Sequence, residues 1–187
     1  MKAGKYREAG EIYSDSSNYV RAGEAFEKGG LEELAAQSFA RQIRESGGGG
    51  AQYLGARREK ELAELARRAA RCYEKIGKLE EALEVLRLGG RYPEAARVAE
   101  KLGHHAEAAA FYERIGDAQK AAELYARSGD EKTASSLNAE RLLAEGRSKE
   151  AAELFMRGGD PVRAAELYES LEEFELAARC YASNAAF

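Results

Sequence analysis

The chain is written in a 13-residue cadence, and that cadence leaves few folds open. Cut at Gly4, Ser17, Gly30, Glu64, Gly77, Gly90, Gly103, Gly116, Gly129, Gly146, Gly159 and Glu172, the sequence gives twelve aligned units. The sixth residue of every unit is alanine, from Ala9 and Ala22 through Ala121 to Ala164 and Ala177. A self-similar interval this short is the signature of stacked units, each burying its apolar face against its neighbours.

The ninth and tenth places carry apolar pairs such as Ile12-Tyr13, Cys72-Tyr73, Phe111-Tyr112, Leu154-Phe155 and Leu167-Tyr168, and the thirteenth is often Ile76, Leu102, Ile115 or Leu171. Positions 6, 9, 10 and 13 are spaced i, i+3, i+4, i+7, which is one face of an α-helix. Positions 5, 8, 11 and 12 are mostly Glu, Lys and Arg, and this reading turns them to water. Position 7 is small in most units, including Gly10, Gly23, Ala36, Ala122 and Ser135, so the tenth-position ring of a neighbour has a shallow surface to fill. The leading glycine ends one helix in the left-handed conformation, and Asp117, Asp130 and Asp160 stand where a side chain caps the next. Pro93 and Pro161 fall in first turns, where a missing N–H does little damage.

The predicted fold is therefore all-α: an α-solenoid of about twelve short antiparallel helices stacked as helical hairpins, forming one array over residues 1–187. Two interruptions break the cadence. Between Gly30 and Glu64 a Gly-rich insertion near 46–55 intervenes, containing Gly47–Gly50, and the run after it lengthens the fourth helix to about Ala56–Ile76. Four residues are added between Gly129 and Gly146, which lengthens the helix over Glu131–Glu145 by about one turn.

Composition narrows the function. Twenty-nine basic and thirty-three acidic side chains leave a net charge of −4, so nucleic acid is not an expected partner. No apolar run approaches the roughly 20 residues of a membrane span, and the start lacks the apolar core of a secretory signal, so a cytoplasmic location without membrane insertion is expected. Cys72 and Cys180 recur in the same Ala-Ala-Arg-Cys-Tyr context and read as packing residues. His104-His105 is the only histidine pair, and no Cys or carboxylate spacing completes a metal site around it. Acidic residues recur at solvent positions of successive units, whereas a catalytic pair is expected once, in a cleft. No catalytic, cofactor or metal residue is assigned, and an enzyme is not expected. The residues proposed for partner contact are Tyr53, Leu54, Arg57, Arg58 and Lys60 at the insertion, with His104 and His105 at a turn.

Segments such as Gly116-Asp-Ala-Gln-Lys-Ala-Ala-Glu-Leu-Tyr125 and Gly159-Asp-Pro-Val-Arg-Ala-Ala-Glu-Leu-Tyr168 resemble single helices of tetratricopeptide-type α-solenoids. That family repeats two different helices over a longer interval. The near-identical helices here are more similar to the solenoid segments of vesicle-coat and intraflagellar-transport proteins. The resemblance implies protein or peptide binding within a large assembly and transfers no ligand-binding residue. The leading expectation is an interaction scaffold for a protein or peptide. The alternatives are a self-assembling solenoid that stacks through its uncapped ends, and an RNA-binding repeat resting on Arg57, Arg58, Lys60, Arg67, Arg68 and Arg71. Apolar columns that persist to both ends also suggest a fragment of a longer protein.

Overall fold

The computed structural model describes residues 2–47 and 55–184, and within them every element is an α-helix. The helices gather into two compact units, Met1–Leu102 and Gly103–Phe187. The first holds α1 (Lys2–Asp15), α2 (Tyr19–Lys28), α3 (Glu32–Gly47), α4 (Ala56–Lys75), α5 (Leu79–Leu88) and α6 (Tyr92–Leu102). The second holds α7 (His105–Arg114), α8 (Ala118–Arg127), α9 (Glu131–Ala144), α10 (Ser148–Arg157), α11 (Pro161–Ser170) and α12 (Phe174–Asn184). Within each unit every helix packs on the next in the chain, the arrangement of an α-solenoid.

Each turn is made by one left-handed residue. Gly30, Gly77, Gly90, Gly103, Gly116, Gly129, Gly146 and Gly159 all have positive φ, between +67° and +89°. Ser17 and Glu172 take the same conformation at φ +56° and +60° without glycine's freedom. At most of these turns the residue that follows donates its N–H back to the carbonyl of the tenth-position residue, as in Asp117 to Tyr112 at 2.9 Å and Asp160 to Phe155 at 2.8 Å. This six-to-one bond closes the helix end. The other two unit starts are not turns, since Gly4 lies inside α1 and Glu64 inside α4.

Helix starts follow the expected chemistry. The carboxylates of Asp117, Asp130 and Asp160 accept from the backbone N–H of Lys120, Thr133 and Arg163 at 3.0–3.1 Å, and Asn18 accepts from Arg21 at 3.3 Å. Pro161 opens α11, and Pro93 is the second residue of α6.

The alanine column is the core. From Ala22 onward each sixth-position alanine is 3% exposed or less. Rings fill the space the small residues leave: a Cβ added to Gly10 would lie 2.4 Å from the Phe26 ring, and one added to Gly23 would lie 2.4 Å from the Phe39 ring. The tenth-position ring of one helix thus seats on the seventh position of the helix before it. At the far ends, Gly89 closes α5 against Leu62 and Ala66 of α4, and Gly158 closes α10 against Lys132 and Ser135 of α9. The end of one helix meets the early turns of the previous one, so neighbours run antiparallel.

One expectation fails. The thirteenth position does not join the buried face, and Ile76, Ile115 and Leu171 are each more than a third exposed. They sit beside the left-handed residue, where the helix is already ending. Position 9 instead distinguishes the two sides of a helix: Val85, Leu124 and Cys180 are buried, while Ile12 of α1, with no earlier described helix against it, is 59% exposed.

The longer elements lie where the cadence breaks. α4 begins at Ala56 and ends at Lys75, matching the expected extension, and α9 gains its extra turn with Glu145 as its C-cap. α3 also runs on through Ser46 to Gly47, and residues 48–54 of the insertion lie outside the described residues.

Two substitutions test the packing and the turns. Gly23→Ala forces a methyl into the fully buried Phe39 ring and lowers stability by ~1–3 kcal/mol. Ser17→Gly relieves a left-handed serine and raises stability by about 1 kcal/mol. Thermal and denaturant unfolding of both variants should shift in opposite directions.

Candidate partner-docking site

Against helices of about ten residues, α3 and α4 stand out. Gly89, at the end of α5, lies 3.3 Å (as a built Cβ) from the Leu62 carbonyl, so the six residues of α4 before Leu62 extend past α5 by about 9 Å at the usual helical rise. Leu62 and Leu65 of α4 and Ile43 of α3 are under a tenth exposed, so the extension is rooted in the core of the first unit.

A cleft of ≈ 680 Å³ opens where this extension overhangs the start of α2. Val20, Ala56 and Leu65 give it an apolar floor, and Arg57, Lys60, Glu61 and Glu64 form its charged rim. Much of that charge is already neutralised along the helix. Arg57 pairs with Glu61 at 3.1 Å and Arg67 with Glu64 at 2.7 Å. The Arg67 hydrogen bond, with the charges of Arg67, Arg68 and Arg71 adding to it, holds the Glu64 carboxyl below its ordinary range. Among the described residues, Arg58 and Lys60 have no ion-pair partner. The first turn of α4 adds to this positive character, because Gly55 supplies no side-chain cap to its free N–H groups.

Arg57 and Lys60 therefore meet at one cleft, with Arg58 exposed on the same turn. Tyr53 and Leu54 lie outside the described residues. His104 and His105 belong to the second unit and start α7. His104 occupies the N-cap without a side-chain capping bond, its Nδ1 3.7 Å from the Glu107 carboxylate. His105 Nε2 lies 3.5 Å from the Arg127 guanidinium, and its Nδ1 is buried with no hydrogen-bond partner among the described residues.

The sequence reading missed a second use of charge. Position 5 was assigned to water, yet it is basic in four units, and all four cations lie over the tenth-position ring of the preceding helix. The pairs are Arg21 on Tyr13 at 5.9 Å, Arg68 on Phe39 at 4.4 Å, Lys120 on Tyr112 at 4.5 Å and Arg163 on Phe155 at 5.3 Å. Two of them reach further. Arg68 passes across α3 to bond Glu24 at 3.2 Å and Glu27 at 2.6 Å on α2, and Arg163 passes across α10 to Glu140 of α9 at 3.1 Å. The available signal was the rarity of a basic residue at position 5, beside acidic positions 8 and 11 two units earlier.

The described thiols are not activated nucleophiles. Both cysteines are free and buried. Burial, and then the neighbouring Glu32 carboxylate, push the Cys72 thiol up to about 11, so it stays protonated near neutrality. Lys75, 2.7 Å from Glu32, holds that carboxyl below its ordinary range. Among the described residues no group of three or more His, Cys, Asp or Glu side chains could hold a metal ion, and no helix is long and apolar enough to cross a membrane.

Arg68→Ala removes the ring contact and leaves Glu24 and Glu27 without their cation. The first unit should lose about 1–2 kcal/mol, read by denaturant unfolding, whereas Arg58→Ala on the exposed first turn of α4 should change stability by less than about 0.5 kcal/mol.

No protein-family model matches the chain, and none of the curated proteins matches it.

Proposed function

We propose that the chain is a non-enzymatic scaffold that holds a protein or peptide on its repeated helical surface. The observation that carries this reading is the overhang of α4, which opens a concave, apolar-floored cleft against the start of α2 with the unpaired Lys60 in its lining. A packed helical frame presents such a cleft ready-made, so a partner gains contacts without much ordering of the scaffold. Apolar anchorage at Val20 and Leu65 supplies affinity, and Lys60 in the lining, with Arg58 exposed on the same turn, supplies orientation and attraction. The resemblance to tetratricopeptide-type, vesicle-coat and intraflagellar-transport solenoids supports the same function, and a cytoplasmic setting goes with it.

The test is capture. The immobilised wild-type chain should retain a protein or peptide under crosslinking that Arg58→Glu/Lys60→Glu loses, with helicity of the variant unchanged by circular dichroism. Recovery of nothing by either chain, or of the same species by both, refutes the reading.

A further inference from the structure

Charge is sorted between the two layers of the first unit. At positions 4, 5 and 8 α4 carries Arg67, Arg68 and Arg71, whereas α5, one unit later, carries Glu80, Glu81 and Glu84. Helices two apart share a layer, joined by the Arg68–Glu24, Lys101–Glu74 and Arg44–Glu84 bridges. The layer of α2, α4 and α6 holds eleven basic and eight acidic side chains, and that of α1, α3 and α5 holds six basic and nine acidic. One layer is therefore basic on a chain whose net charge is −4.

The acids of the basic layer are nearly all engaged. Arg68 holds Glu24 and Glu27, Arg57 holds Glu61, Arg67 holds Glu64, Lys101 holds Glu74 and Arg91 holds Glu94. Glu100 is engaged as well. Among the described residues Glu59 is the one carboxylate of this layer without a partner, and it lies twelve residues, about 18 Å, before Arg71 along α4. Arg71 of α4 and Arg97 of α6 are exposed and have no ion-pair partner among the described residues, Arg71 acting on Glu64 without bridging to it. Both stand at position 8. Because α4 and α6 each run antiparallel to α5, and Lys101 at position 12 meets Glu74 at position 11, the two helices lie side by side in register. The two guanidiniums are then neighbours about 10 Å apart across adjacent helices.

We infer that Arg71 and Arg97 take an acidic, extended segment of a partner protein laid across α4 and α6, with two carboxylates three residues apart. An extended chain rises about 3.3 Å per residue, so that spacing matches the arginine pair. Guanidinium forks bind carboxylates in a fixed geometry, which gives the pair its register. The surface goes beyond the cleft reading, since neither arginine is among the cleft's lining residues. A nucleic acid needs a longer run of phosphate contacts than two cations supply.

NMR titration of the isotope-labelled full chain at low ionic strength tests the inference, with short Ser-rich synthetic peptides carrying two glutamates one, three or five residues apart. The peptide with the three-residue interval should bind tightest and shift the signals of Arg71 and Arg97. Arg71→Glu/Arg97→Glu should weaken it roughly tenfold or more and should instead bind the matching dilysine peptide. Arg71→Gln/Arg97→Gln should show the same loss with helicity unchanged by circular dichroism. Arg58→Glu/Lys60→Glu should bind as wild type does, so the inference stands or falls apart from the cleft, whose own test is capture. Peptides that leave Arg71 and Arg97 unshifted, equal binding at all three intervals, or binding that survives both double variants overturns the inference. So does a short single-stranded RNA that binds the same arginines more tightly than any of the peptides.

Discussion

The structure depends on how closely two helix axes approach at the sixth and seventh positions. An aromatic ring at position 10 seats only where the facing helix offers hydrogen or methyl, as Phe26 does on Gly10 and Phe39 on Gly23. Ten-residue helices are too short to persist alone, so the contact that joins them also makes them. The turn chemistry serves the same contact: at most turns the carbonyl that receives the closing six-to-one bond belongs to the ring-bearing residue itself, as at Tyr73, Tyr112, Tyr125, Phe155 and Tyr168. Ring placement and helix termination are thereby fixed at one point, and in the regular units the 13-residue interval keeps the next ring in register.

This explains why so much of the fold was legible. Alanine at every sixth position, glycine at the turns and aspartate at the caps are local requirements, each satisfied within a few residues of where it is written. The extents of α4 and α9 followed from counting against that interval. What could not be read was anything that depends on three helices at once. Arg68 looks like any solvated arginine until α2, α3 and α4 are assembled, and only then do Phe39, Glu24 and Glu27 converge on it. The thirteenth position misled for the opposite reason: Ile76 and Ile115 keep the helical spacing while the backbone beneath them is already leaving the helix.

The candidate site was partly legible. Arg57, Arg58 and Lys60 stood out because they follow the break, but the cleft beside them arises from unequal helix lengths, with Val20 contributed by a helix whose own sequence is unremarkable for the family of units. His104 and His105 are not among that cleft's lining residues, and their rarity in the composition, not their geometry, drew them in.

The helix-skipping ion pairs have a mechanical consequence. In the first unit Arg68 ties α4 to α2, Arg44 ties α3 to α5 at 3.2 Å, and Lys101 ties α6 to α4 at 3.1 Å. Each links helices two apart in the chain, and the α2–α3, α4–α5 and α5–α6 connections they bridge turn on the single left-handed residues Gly30, Gly77 and Gly90. Such ties act as braces against splaying, and because they are partly open to solvent, salt slackens them while leaving the dry ring-on-alanine contacts intact. The elastic stiffness of the stack is therefore set by ionic strength, and its fold is not.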